Sequence, residues 1–122
     1  MFQAELDSAA NLLKVSFSGT VGPDEAKHCV EESRALLRPV PPGFRLLTDL
    51  SGLEKMDLAC VPFLNQMMDL CNEKGVATVV RIIPDPRKDI GLNILSLFHY
   101  ERRVQILTCE TRLEAMKLLA KP

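Results

Sequence analysis

The chain has 122 residues, 47% of them hydrophobic and 25% charged, which is ordinary globular usage and excludes a disordered chain. That length suits a single domain spanning 1–122. Lys and Arg number 15 against 16 Asp and Glu, a net charge of −1, so no strong field draws nucleic acid or an anionic membrane as the main partner.

Phe2–Asp7 alternates apolar and polar side chains, and Leu12–Val21 does so again after a short connection, which predicts an antiparallel hairpin. Gly22-Pro23-Asp24-Glu25 opens a helix, because proline fits a first turn whose N–H groups lack partners and the two acids suit the positive end of the dipole. Ala26, Val30, Ser33 and Leu37 then recur at helical spacing until Pro39 stops the run. Residues 38–43 form an ordered loop, and Phe44–Leu50 follows as a nearly continuous apolar stretch, the pattern of a strand buried on both faces.

Ser51–Asp57 is rich in turn residues. Cys60–Lys74 reads as a second helix with Pro62 in its first turn, Cys60, Phe63, Leu64, Met67, Met68 and Cys71 on the inner face, and Gly75 as C-cap. Val76–Ile83 is a β-branched buried strand. Pro84-Asp85-Pro86 leads to a third helix near Arg87–His99, then a strand over Val104–Thr108 and a helix over Thr111–Ala120, with Glu114 three residues after a capping Thr111. The order β-β-α-β-α-β-α-β-α predicts an α/β fold: a mixed, mainly parallel sheet with an antiparallel N-terminal edge strand and four helices.

The start Met1–Asp7 lacks the basic residues and apolar run of a secretory signal, and no stretch approaches the roughly 20 apolar residues of a membrane span. The expected location is the cytoplasm. Cys29, Cys60, Cys71 and Cys109 include no CxxC pair and sit in apolar or amphipathic runs, so free, mostly buried thiols are predicted.

In open α/β sheets, sites collect at the carboxyl ends of the strands, and the richest such segment here is Thr48–Cys60. Asp49, Asp57 and Asp85 around that edge would suit a divalent cation; the competing reading makes Asp57 a helix cap and Asp49 a turn organiser. No phosphate loop, HExxH or CxxC motif is present, and neither cofactor nor metal is expected. His28 and His99 are the only histidines, both on predicted helices, which leaves a Cys–His nucleophile little support. Arg87-Lys88 and Arg102-Arg103 flank the third helix, but Asp85, Asp89 and Glu101 are interleaved, so a mixed solvated surface is expected there. On that helix Ile90, Ile94, Leu97 and Phe98 form the predicted core stripe. Leu92 and Leu95 project on the other side, a second apolar face that packs under another element or meets another protein.

Asp49-Leu50-Ser51-Gly52-Leu53, then Met56-Asp57, Leu64, Gly75 and the closing strand and helix through Leu119 resemble the STAS domain (sulphate transporter and anti-sigma-factor antagonist). That family shows an apolar strand ending in Asp-Leu-Ser-x-Val/Leu, then an apolar residue and Asp-Ser-Ser-Gly opening a helix. The resemblance implies a bacterial signalling module that binds an anti-sigma kinase and is released when the serine two positions after the aspartate is phosphorylated. By position Asp57 matches the aspartate, Leu58 and Ala59 stand where the family has serines, and Cys60 stands for the glycine. Ala59 has no hydroxyl, so phosphoryl transfer at that position is chemically excluded, while the helix start keeps N–H groups for an anion or a partner's acid.

The expected role is therefore a non-catalytic, STAS-like protein-interaction module. Its candidate partner-binding residues are Asp57, Leu58, Ala59 and Cys60 at the second helix and Leu92 and Leu95 on the third. The expected partner is a protein such as an anti-sigma factor or kinase-like regulator, or a second copy in a homodimer. One alternative is a carrier or sensor of a lipid-like or nucleotide ligand, lined by Phe63, Met67 and Met68. The other is a small enzyme using Asp57 or a cysteine.

Overall fold

The alternation at the start of the chain produces the hairpin with the bounds it predicts: β1 is Phe2–Asp7 and β2 is Leu12–Val21, paired antiparallel with Phe2 opposite Phe17. The computed structural model describes residues 1–85 and 91–120, with the backbone alone at 93 and 94. After the hairpin come α1 (Pro23–Leu37), β3 (Arg45–Met56), a 3₁₀ turn (Leu58–Cys60), α2 (Val61–Glu73), β4 (Thr78–Ile82), α3 (Leu92–His99), β5 (Gln105–Cys109) and α4 (Arg112–Leu119). The sheet order is β1-β2-β3-β4-β5, with β2 through β5 parallel.

Because the parallel strands follow one another in a single direction, right-handed crossovers carry α1, α2 and α3 to the same face. The core divides accordingly. Leu13, Val15, Leu46 and Val79 pack with residues of those three helices, while Leu12, Leu47, Val80 and Ile82 pack with Ala115 and Leu119 of α4. Side chains alternate along a strand, so consecutive apolar residues such as Leu46 and Leu47 serve opposite layers. That is why the central strands read as unbroken apolar runs. Arg45 ties the end of α4 to the sheet by donating to the carbonyls of Leu119 and Ala10.

Two expectations need correction. Ser51–Asp57 is mostly strand: β3 runs on to Met56, and among the described residues its second half pairs only with β2, Ser18 facing Gly52 and Val21 facing Met56. Two register shifts each place an extra residue in β3, so the turn-prone residues are absorbed as bulges along β2.

The facing of α3 is the reverse of the one predicted. Leu92 and Ser96 are 5% and 4% exposed, whereas Leu97 and Phe98 are 80% and 78% exposed. Arg81 of β4, only 2% exposed, donates to Ser96 Oγ at 2.6 Å. A buried guanidinium must be hydrogen-bonded, and that demand turns the Leu92–Ser96 side of the helix towards the sheet. Arg87, Lys88, Asp89 and Ile90, where the sequence pattern starts the third helix, lie outside the described residues, as does the side chain of Ile94.

Candidate functional site

β2 and β3 end side by side at Val21 and Met56, and the chain turns over their tips. Two bonds to one carbonyl pin that turn. The Asp57 N–H donates to Val21 O at 3.1 Å, and the Cys60 thiol donates to the same oxygen at 3.6 Å. The Asp57 carboxylate then accepts from the Ala59 N–H at 2.8 Å, and the Cys60 N–H donates to Asp57 O at 2.9 Å. Asp57 is thus the cap of the 3₁₀ turn, a role worth about 1 kcal/mol.

What this scaffold presents is a short exposed loop. Asp57, Leu58 and Ala59 are exposed, Leu58 at 85%, while Cys60 is fully buried beneath them as the anchor. The start of α1 packs against the turn, with the exposed Asp24 on that helix's first turn. Three of the four residues predicted here are surface residues and the fourth is a post. Cys60 belongs to the core because its thiol reaches back to the end of β2.

On α3 the predicted pair separates from the surface. Leu92 is in the core and Leu95 is half-buried against it, so neither projects outward; Leu97 and Phe98 do. His99 Nδ1 lies 2.7 Å from Asp69 Oδ1, tying α3 to α2, and Arg103 donates to the carbonyls of Val76 and Asn72 at 2.8 and 2.9 Å. Periodicity missed Leu97, Phe98 and Arg81; the available signal was one arginine within an otherwise apolar, β-branched strand.

The acids do not converge. Asp49 accepts from Ser51 N at 2.9 Å and from Arg112 Nε at 2.9 Å, on the α4 side of the sheet. Asp57 lies eight positions further along β3 and its tip, roughly 20–25 Å away in an extended strand. Among the described residues no group of three or more His, Cys, Asp or Glu is arranged to hold a metal. Burial alone would raise the Asp49 pKa, but hydrogen bonds from Ser51 and the Arg112 guanidinium outweigh it and hold the carboxyl below its usual value.

All four cysteines are free and buried. Burial pushes Cys29 up to about 11 and Cys71 up to about 12. Cys60 and Cys109 are raised as well, again chiefly by burial, and for Cys60 also by the neighbouring Asp57 carboxylate. A nucleophilic thiol needs the opposite environment.

Phe63, Met67 and Met68 do line a cavity between the helices and the sheet, together with Arg81 and Tyr100, but its volume is about 40 Å³. Pockets for drug-sized ligands hold about 300–1,000 Å³. Among the described residues no helix is long and apolar enough to cross a membrane.

No protein-family model matches the sequence, and no curated protein does either. Solved structures do match the fold. A protein of the DUF3478 family from Shewanella loihica PV-4, described as having a SpoIIAA-like fold, superposes with a TM-score of 0.72 at 13% identity, over 98% of this chain and 94% of that one. The anti-sigma factor antagonist SpoIIAA in its unphosphorylated form gives 0.58 at 18% identity, with both chains covered in full. An anti-sigma factor antagonist from Mycobacterium paratuberculosis gives 0.59 at 22% identity, over 98% of this chain and 94% of that one. The chain has the SpoIIAA-like, STAS-type α/β fold.

Proposed function

We propose that this chain, folded like an anti-sigma factor antagonist, is a non-catalytic interaction module of the bacterial partner-switching kind that docks a regulatory protein on the Asp57–Ala59 tip. The observation that carries this is Leu58: a leucine 85% exposed, at the end of the central strands, on a turn held by the Asp57 cap and the buried Cys60. A rigid apolar side chain on a pre-ordered turn is the kind of group that anchors an interface, because little ordering entropy is lost on binding. With alanine at position 59 the tip carries no hydroxyl for a kinase there, so partner choice follows from contact and not from modification of that residue. Four free, buried thiols agree with a reducing, cytoplasmic setting.

The test is capture of a binding protein from cells that naturally make the chain, followed by measurement of its affinity for purified variants. Leu58→Glu is expected to weaken binding at least about tenfold, on the scale of a lost interface anchor. Lys27→Glu, an exposed change on α1, is the control and is expected to leave affinity unchanged. Equal affinities for Leu58→Glu and the wild type would overturn the proposal.

A further inference from the structure

We propose that the outer edge of β5 is an interface on which a second copy of this chain adds antiparallel, joining two sheets into one. β5 is the last strand in the sheet order, and among the described residues no strand pairs with its outer side. Its inner side is fully engaged with β4: Gln105 N donates to Ala77 O at 3.0 Å and Ile83 N donates to Cys109 O at 2.8 Å. In a parallel ladder alternate residues serve alternate neighbours, so Gln105, Leu107 and Cys109 bond inward while Ile106 and Thr108 turn their N–H and C=O groups outward.

Edge strands are normally guarded by charge, proline or a bulge. The other edge, β1, carries Glu5 and Asp7, whereas Gln105-Ile106-Leu107-Thr108-Cys109 has no such guard. A groove runs beside it, bounded by α3 through the exposed Leu97 and by Ile106 and Thr108.

The strand's own pairing geometry suits a second copy. A two-fold axis midway between the two copies of Leu107 sets Ile106 of each copy opposite Thr108 of the other. All four outward backbone groups of each chain then bond reciprocally, and Val104 N, already bonded to Glu101 O at 3.0 Å, is not needed. Charge agrees with antiparallel pairing: Arg102 lies in the turn just before β5 and Glu110 just after the strand, so each end of the junction brings unlike charges together. The same axis keeps both α3 helices on one face of the joined sheet, each with its exposed Leu97 beside the junction.

Sedimentation equilibrium of the purified chain tests this. The wild type is expected to sediment as a dimer at micromolar concentration. Thr108→Pro removes an N–H that points away from β4, which an edge strand tolerates, and is expected to raise the dimer dissociation constant at least about tenfold. Should that variant fail to fold by circular dichroism, hydrogen exchange of the wild type decides. Protection of the Ile106 and Thr108 amides must then rise with protein concentration. Leu107→Cys adds a check on register, since its pair would lie about 4.5 Å apart between Cα atoms and oxidise to a linked dimer. A monomer at every concentration overturns the proposal. So does a dimer whose Ile106 and Thr108 amides exchange no more slowly than in the dilute protein.

Discussion

Replacing Gly75 by alanine is expected to cost about 1–4.5 kcal/mol of folding free energy, from two separable causes less a smaller unfolded-state offset. Gly75 closes α2 with φ +88°; its N–H donates to Asn72 O at 3.1 Å, and the next N–H, of Val76, donates to Cys71 O at 3.0 Å. That is a Schellman termination, which needs the left-handed backbone. Holding a residue with a Cβ there costs roughly 1–2 kcal/mol. The new Cβ would also stand 2.8 Å from Pro42 Cβ and 3.2 Å from Pro42 Cα. A proline ring cannot rotate away, and such overpacking adds about 1–3 kcal/mol. The stiffer unfolded chain of an alanine variant offsets about 0.4–1 kcal/mol.

Gly43 supplies the control. It has φ +93°, and a Cβ added there would meet nothing within 4 Å, so Gly43→Ala bears the backbone cost alone, about 1 kcal/mol or less. The two glycines belong to one corner, Gly43 N donating to Gly75 O at 2.8 Å. In urea, Gly75→Ala is expected to lower the unfolding midpoint by roughly 1–2 M, and Gly43→Ala by well under half as much, with unchanged slopes. Equal shifts for the two variants would refute the Pro42 contact as a cause, and no shift in either would refute the left-handed backbone. The corner lies at the end of the sheet opposite Asp57, so partner binding well below the unfolding transition is expected to be unaffected.

Asp49→Asn tests the ion pair with Arg112: since the folded carboxyl titrates below its usual value, its stabilisation is present above the unfolded pKa and lost as pH falls through the folded one. The stability gap between wild type and variant, read from urea melts, is therefore expected to be full at neutral pH and to close below about pH 4; a gap that widens in acid would contradict the assignment. Titration with a disulfide reagent at about pH 8 is expected to modify no thiol rapidly in the native chain and all four after denaturation, whereas one fast native thiol would revive a cysteine enzyme. Ser96→Ala withdraws a hydrogen bond from the buried Arg81 and is expected to cost about 1–3 kcal/mol in chemical denaturation; a loss within about 0.5 kcal/mol would show that this bond does not hold α3 in place.

The hairpin, the inner face of α2 and the Asp57 cap were legible in the sequence because each is a local pattern. β1 and β2 alternate with period two around a short turn, Leu64, Met68 and Cys71 repeat at helical spacing, and an aspartate before a helix start is a cap by its chemistry. The second half of β3 was not, since Ser51-Gly52 and Glu54-Lys55 look like turn residues until β2 is placed beside them. Nor was the facing of α3. Its apolar residues lie on both sides, and the deciding contact is polar and comes from β4, between Arg81 and Ser96. Cys60 shows the same limit: the carbonyl that draws its thiol inward belongs to Val21, on another strand. Local chemistry gave the position of the tip, and long-range bonds decided which of its residues face outward.

The most direct measurement is photo-crosslinking inside cells that naturally make the chain, with a photoreactive amino acid at Leu58 in one variant and at Leu113, 67% exposed on α4, in another. The tip's role as the docking surface predicts one dominant crosslinked protein from position 58, suppressed by excess wild-type chain and absent from position 113. Crosslinks from 113 alone, or the same product from both positions, would contradict it.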